Sequence, residues 1–223
     1  RGSATLRSAL GERKRERPGD CSDCSPSASL ACCASTWACC AASWACSFSL
    51  ASHVTLRLAG VLLASTELDE YPESGWNWDP ALIDTHNASD VGIVGSGRIE
   101  GQAVPKWVDS YDPLRGYVPR TWAGVHGCVG ECRPKLVRFT DCTRVTLAGG
   151  DGGRLEVSNA PDWSVLLRRT SWVRASRLHI HGDERWPNGD GIDVESGEHL
   201  HIEDVDIDQL DSDLSFILVD KAK

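Results

Sequence analysis

The chain has 223 residues, 23 Lys and Arg against 32 Asp and Glu for a net charge of −9, and 41% hydrophobic residues. That is enough for one medium-sized domain with its own core, and it excludes collagen, coiled coil and wholesale disorder. A membrane span needs roughly 20 uninterrupted apolar residues, and Arg57 interrupts the best run, Val54 to Leu63; the acidic balance likewise excludes a nucleic-acid binder held by phosphate contacts.

The chain begins in one material and continues in another. Residues 1–50 carry six Lys/Arg and four Asp/Glu, which leaves −11 for the remainder, and seven of the ten cysteines fall between Cys21 and Cys46. The Ser/Ala/Cys run there has neither helical nor alternating periodicity and reads as low complexity. Cys21-x-x-Cys24 and the vicinal pairs Cys32-Cys33 and Cys39-Cys40 are followed by no second CxxC at finger spacing and no nearby His, so no metal is expected. The charged stretch up to Asp23 runs too long for a signal peptide. Residues 1–51 are therefore expected to be a poorly ordered leader, and residues 52–223 the folded domain.

From Ser52 onward, short β-type triplets alternate with polar turns containing Gly and Asp. Leu155, Leu178 and Leu200 are spaced by 23 and 22 residues, and Val157, Ile180 and Ile202 by the same intervals. An apolar pair at i and i+2 recurring about every 22 residues is the pattern of a solenoid in which each turn adds a strand to one sheet and points the pair inward. Helical repeats would show i, i+3, i+4 spacing, whereas Val, Ile and Thr here favour strands. Ile192 and Leu214, again 22 apart, imply at least two strands per coil. The expected fold is all-β, a right-handed parallel β-helix.

In such a coil, residues one turn apart lie on neighbouring strands, about 4.8 Å from each other. Asp190, in Pro187-Asn188-Gly189-Asp190-Gly191-Ile192-Asp193, is 21 residues from Asp211 and 22 from Ser212. Two such carboxyls can divide acid and base work, because neighbours raise one another's pKa and keep one protonated. Asp and Gly are also ordinary turn residues, and Asp/Gly repeats hold calcium in β-rolls, but the nonapeptide pattern for that is missing.

Five segments in order carry a resemblance. SHVTLRLAGVLLASTELDEYP (52–72), GSGRIEGQAVPKW (95–107), RPKLVRFTDCTRVTL (133–147), VSNAPDWSVLL (157–167) and PNGDGIDVES (187–196) resemble the successive coils of the polygalacturonases, family 28 glycoside hydrolases of the pectin-lyase-like β-helix class. The resemblance implies hydrolysis of α-1,4-galacturonan or a related pectic chain with inversion. It makes Asp190 a water-activating base, with Gly189 where the family has Thr, and Asp211 the general acid. Ser212 takes the place of the family's second water-activating carboxylate, and Asp213, one residue on, would face the other way unless a bulge intervenes. Asn188, Asp193 and Asp213 are the expected substrate contacts.

The family's later Gly-His-Gly and Arg-Ile-Lys segments do not occur, so the β-helix is expected to be incomplete. His179, His181, His199 and His201 are expected as strand-face residues. No cofactor or metal is expected; the partner is a pectic polysaccharide, the chain a monomer, and its location extracellular or the cell wall. A non-catalytic carbohydrate-binding solenoid, and a lyase needing calcium and an Arg base, are the competing readings. Among the tryptophans, Trp163 is expected to pack in the core, while Trp76, Trp78, Trp107 and Trp122 are the candidates for stacking on sugars. Asn87-Ala88-Ser89 is a glycosylation sequon. Cys128 and Cys132 could close a small loop.

Overall fold

Runs such as VTLRL, RLEV and HLHI put β-branched and apolar residues on alternate positions and end at Gly, Asp or Asn, so each can bury one face and must stack on another run to do so. The computed structural model describes residues 2–5, 47–71, 80–121, 132–209 and 214–217. Its strands are β1 (Gly2–Thr5), β2 (Val54–Leu58), β3 (Val61–Leu63), β4 (Ala81–His86), β5 (Ser89–Gly95), β6 (Arg98–Glu100), β7 (Val108–Asp112), β8 (Gly116–Pro119), β9 (Lys135–Thr140), β10 (Thr143–Gly149), β11 (Leu155–Ser158), β12 (Val165–Arg168), β13 (Ser171–His181), β14 (Ile192–Glu195), β15 (Glu198–Asp208) and β16 (Leu214–Ile217).

They stack in three columns. One holds β1, β2, β5, β10 and the first halves of β13 and β15. A second holds β3, β6, β11 and the second halves of β13 and β15. The third holds β4, β9, β12, β14 and β16. Among the described residues every strand ladder is parallel except the hairpin β7–β8. The chain visits the columns in turn and winds as a right-handed parallel β-helix.

Inside, like sits on like: Ile83, Val137, Val165 and Ile192 form one row, and Ile99, Val157 and Ile180 another, each at most 2% exposed. The rows lie at the strand spacing, so each methyl group meets its counterpart in the next coil and little space is left open.

Two expectations change. Leu155 does pair with Leu178, but Leu178 pairs with Val205, and Leu200 pairs with Val173 in a different column. The step between coils varies with the column and the turns: 28 residues from Val145 to Val173 and 27 from there to Leu200, 23 from Leu155 to Leu178, 22 from Ile192 to Leu214, and 54 from Val91 to Val145. An apolar pair at i and i+2 is the same motif in every column, so its recurrence cannot say which column it belongs to. The coils also begin before Ser52: Phe48 bridges Ile83, Leu50 is 2% exposed, and Gly2–Thr5 pairs with β2. The alternation in Ser47-Phe48-Ser49-Leu50 is a strand signal that the Ser/Ala/Cys run beside it obscures.

At one corner the backbone turns through the left-handed region at Asp90, Arg144, Trp172 and His199, all with φ between 54° and 57°. Side chains there normally cost energy unless something holds them. Here Arg144 donates to both oxygens of Asp90 at 2.5 and 2.8 Å, and the Trp172 ring stacks on His199 at 4.1 Å.

On the outer side of the third column, Arg138, 4% exposed, donates from Nε and Nη2 to Asp84 at 2.8 and 2.6 Å, and His86 Nε2 lies 2.7 Å from the same carboxylate. Burial pushes the Asp84 pKa up, but the bonds from Arg138 and His86 outweigh it and hold it at about 2. A depressed carboxylate stabilises the fold above its unfolded pKa and loses that contribution as pH falls toward the folded one. The contribution is about 2 kcal/mol, fully present above pH 5 and lost between about pH 4 and 2. In urea unfolding, Arg138→Met is expected to destabilise by at least that amount at pH 7 and by clearly less near pH 2; an equal penalty at both would contradict the assignment.

Candidate active site

The third column brings the quoted motifs together. Parallel pairing of Val137, Val165 and Ile192 places Lys135, Trp163 and Asp190, each two residues earlier, on three successive coils. The chain is tied there by Leu136 N–H to Trp163 O at 3.3 Å, Val137 N–H to Ser164 O at 3.0 Å, and Ser164 N–H to Asp190 O at 2.9 Å. The same offset in the next coil falls at residue 212, which lies outside the described residues, as do Asp211 and Asp213.

Asp190 is 9% exposed and Asp193 1%. Asp193 sits in register with Leu166 and Ser215; Ser215 hydrogen-bonds its side chain, and its Oδ2 finds no partner among the described residues. Burial first, and the charge of Asp190 second, push the Asp193 pKa up to about 7, with Asp162 adding to the rise and Ser215 and Lys135 opposing it. Below neutral pH, Asp193 therefore carries a proton beside Asp190. Asp193 is buried in this cluster and feels the charge of Asp190. Asn188 lies on the exposed turn before them with φ 57°. At Gly189 an added Cβ would come 2.7 Å from Gln209 Oε1; Gln209 in turn donates from Nε2 to Ser164 Oγ at 2.8 Å.

Two cations flank the carboxyls, both 5% exposed. Lys135 Nζ donates to Asp162 Oδ2 at 2.9 Å and lies 4.7 Å above the Trp163 ring. Arg133 donates from Nη1 to the carbonyls of Pro161 and Pro187 at 2.6 and 2.9 Å, and Trp186 Nε1 bonds the same Pro161 carbonyl at 3.1 Å. Arg133 thus fastens the turn that carries Asn188 to the coil below it. Lys135, Asp162 and Arg133 all lie in the quoted segments RPKL and NAPDW, Lys135 at the start of β9 and the other two in the turns that lead into β9 and β12.

The tryptophans exchange places with expectation. Trp107 is 0% exposed and belongs to the core, held by a backbone bond to Ala103 O at 2.9 Å, so it cannot stack on a sugar. Trp163, expected in the core, is partly exposed beside Asp190. Trp76, Trp78 and Trp122 lie outside the described residues. The four histidines lie on the outer sides of β13 and β15, none of them buried. Cys132 is disulfide-bonded; Cys128 lies outside the described residues. Cys142 is a buried free thiol whose pKa burial raises. Asn87 is exposed at a turn. Among the described residues no helix is long and apolar enough to cross a membrane.

Comparison with solved structures finds the same fold in an exopolygalacturonase of Thermotoga maritima (20% identity, TM-score 0.60, 78% of this chain and 44% of that one). It is found also in a polygalacturonase of Erwinia carotovora ssp. carotovora (20%, 0.63, 80% and 48%) and in a family 28 exopolygalacturonase of Yersinia enterocolitica (21%, 0.58, 78% and 37%). The chain spans less than half the length of each. No curated protein matches it by sequence. The model of glycosyl hydrolases family 28 matches residues 41–217, most of the chain and all of the candidate site, and the chain therefore belongs to family 28 of the glycosyl hydrolases.

Proposed function

We propose that the chain is a polygalacturonase-type glycosidase that hydrolyses α-1,4-galacturonan or a related pectic chain with inversion. Asp190 is the base that takes a proton from the attacking water, and Asp211 the acid that protonates the leaving oxygen. Inverting enzymes hold two carboxyl groups roughly 6.5–9.5 Å apart with a water between them. The observation that carries the reading is the pairing of Asp190 with a neighbour of raised pKa. The charge of Asp190 is one of the causes that keep Asp193 protonated below about pH 7, and an ionised carboxylate is the form a base needs. Lys135 and Arg133 lend positive charge to a site for a polyanion, and the Trp163 face offers a sugar ring an apolar platform. Asn188 and Asp213 contact substrate, and Asp193 supports Asp190. The protein works as a monomer outside the cell or in the cell wall.

One feature favours a second reading, a carbohydrate-binding solenoid without turnover: Ser212 stands where the family has its second water-activating carboxylate, and a hydroxyl does not take a proton from water as a carboxylate does. Incubation with polygalacturonic acid separates the readings. New reducing ends without ultraviolet absorbance are expected. Retention on pectin with no new ends would mean the binder, and an absorbing unsaturated product would mean a lyase.

A further inference from the structure

The second column carries a cluster that hydrolysis does not use. On β13, Leu178 and Ile180 are 0% exposed, so strand alternation turns His179 and His181 outward together. Their rings stack with centroids 4.5 Å apart and 25° between planes. Glu156 on β11 is paired in register with His179, and its Oε1 lies 2.7 Å from His181 Nε2. One donor atom from each of the three lies within 4.8 Å of the other two, and all three residues are half-exposed. We propose that Glu156, His179 and His181 form a binding site for a divalent transition-metal ion, with Zn2+ the best match and a solvent-facing fourth position.

Zn2+ takes imidazole nitrogen and carboxylate oxygen at roughly 2.0–2.2 Å in a tetrahedron, which sets donor atoms roughly 3.4 Å apart. Closing from 4.8 Å needs only small ring rotations on strands whose inward faces are fixed in the core. The ion takes the place of the hydrogen bond between His181 Nε2 and Glu156 Oε1. Asp206 and Asp208 on β15 lie in register with His179 and His181 and add negative charge beside the site, which raises the local cation concentration. Arg98 is the competitor: its Nη1 lies 3.7 Å from Glu156 Oε1. The sequence does not show the site because Glu156 stands one coil before the histidines and only register brings them together.

The test is calorimetric titration of the full chain with Zn2+ at pH 7.5, after alkylation of accessible thiols so that the cysteines between Cys21 and Cys46 do not compete. One site is expected. H179Q/H181Q should weaken binding by more than the roughly 10–100-fold that loss of even an outer-shell partner costs, with the melting temperature of the metal-free protein unchanged. Arg98→Gln, which keeps all three ligands, should tighten it. Bound Cu2+ should show coupling to two nitrogens by electron paramagnetic resonance. Equal Zn2+ affinity in the alkylated wild type and H179Q/H181Q, or no nitrogen coupling, would overturn the proposal.

Discussion

Asp190→Asn is expected to slow galacturonan hydrolysis by about 10²–10⁴-fold, the share that a positioned general base contributes. The amide is nearly isosteric but cannot take the water's proton, so the loss should fall on kcat, with substrate still bound. The variant also removes the charge that helps raise the Asp193 pKa, so Asp193 ionises more readily and the fold should be no less stable at pH 8 than the wild type. Initial rates on polygalacturonic acid, with thermal melts of the same samples, check both halves. An unchanged rate, or a loss of rate matched by a lower melting temperature, would remove Asp190 from the role of base.

The second large effect is on stability. Asp193 has a folded pKa of about 7, well above the ordinary carboxylate value of 3.8, so between about pH 4 and 7 the folded chain keeps a proton that the unfolded chain has released. Stability falls as pH rises through that window, by at most about 4 kcal/mol for a shift of this size. Above pH 7 the folded site holds two ionised carboxyls side by side. Asp193→Asn carries no charge at any pH and can still pair with Ser215, so it should raise the melting temperature at pH 8, change it little at pH 4, and flatten the pH dependence between. The Asp84 pair has the opposite slope but is fully formed by pH 5, so it does not mask the effect. A variant less stable than wild type at pH 8 would mean that the Asp193 carboxylate is stabilised by contacts beyond Ser215.

The coil architecture was legible in the sequence because burying one face of a short strand forces alternation, and Leu155 above Leu178 is that alternation seen one turn apart. The step to Leu200 was not, since the same i, i+2 pattern serves all three columns and only hydrogen-bond register tells them apart. The segment around Asp190 stood out through its ordered run of motifs. Lys135 and Asp162 did not, because each is a single charge whose meaning lies in a partner 27 residues away. Trp107 and Trp163 show the limit most plainly: an indole is large enough to be core or platform, and the packing around it decides.

Proton NMR of the first products from an α-linked oligogalacturonide tests most directly that stacked coils assemble an inverting carboxylate site at Asp190. New reducing ends should appear first in the β-configuration and only later equilibrate with the α-form. First products in the α-configuration, or unsaturated ends in their place, would contradict it.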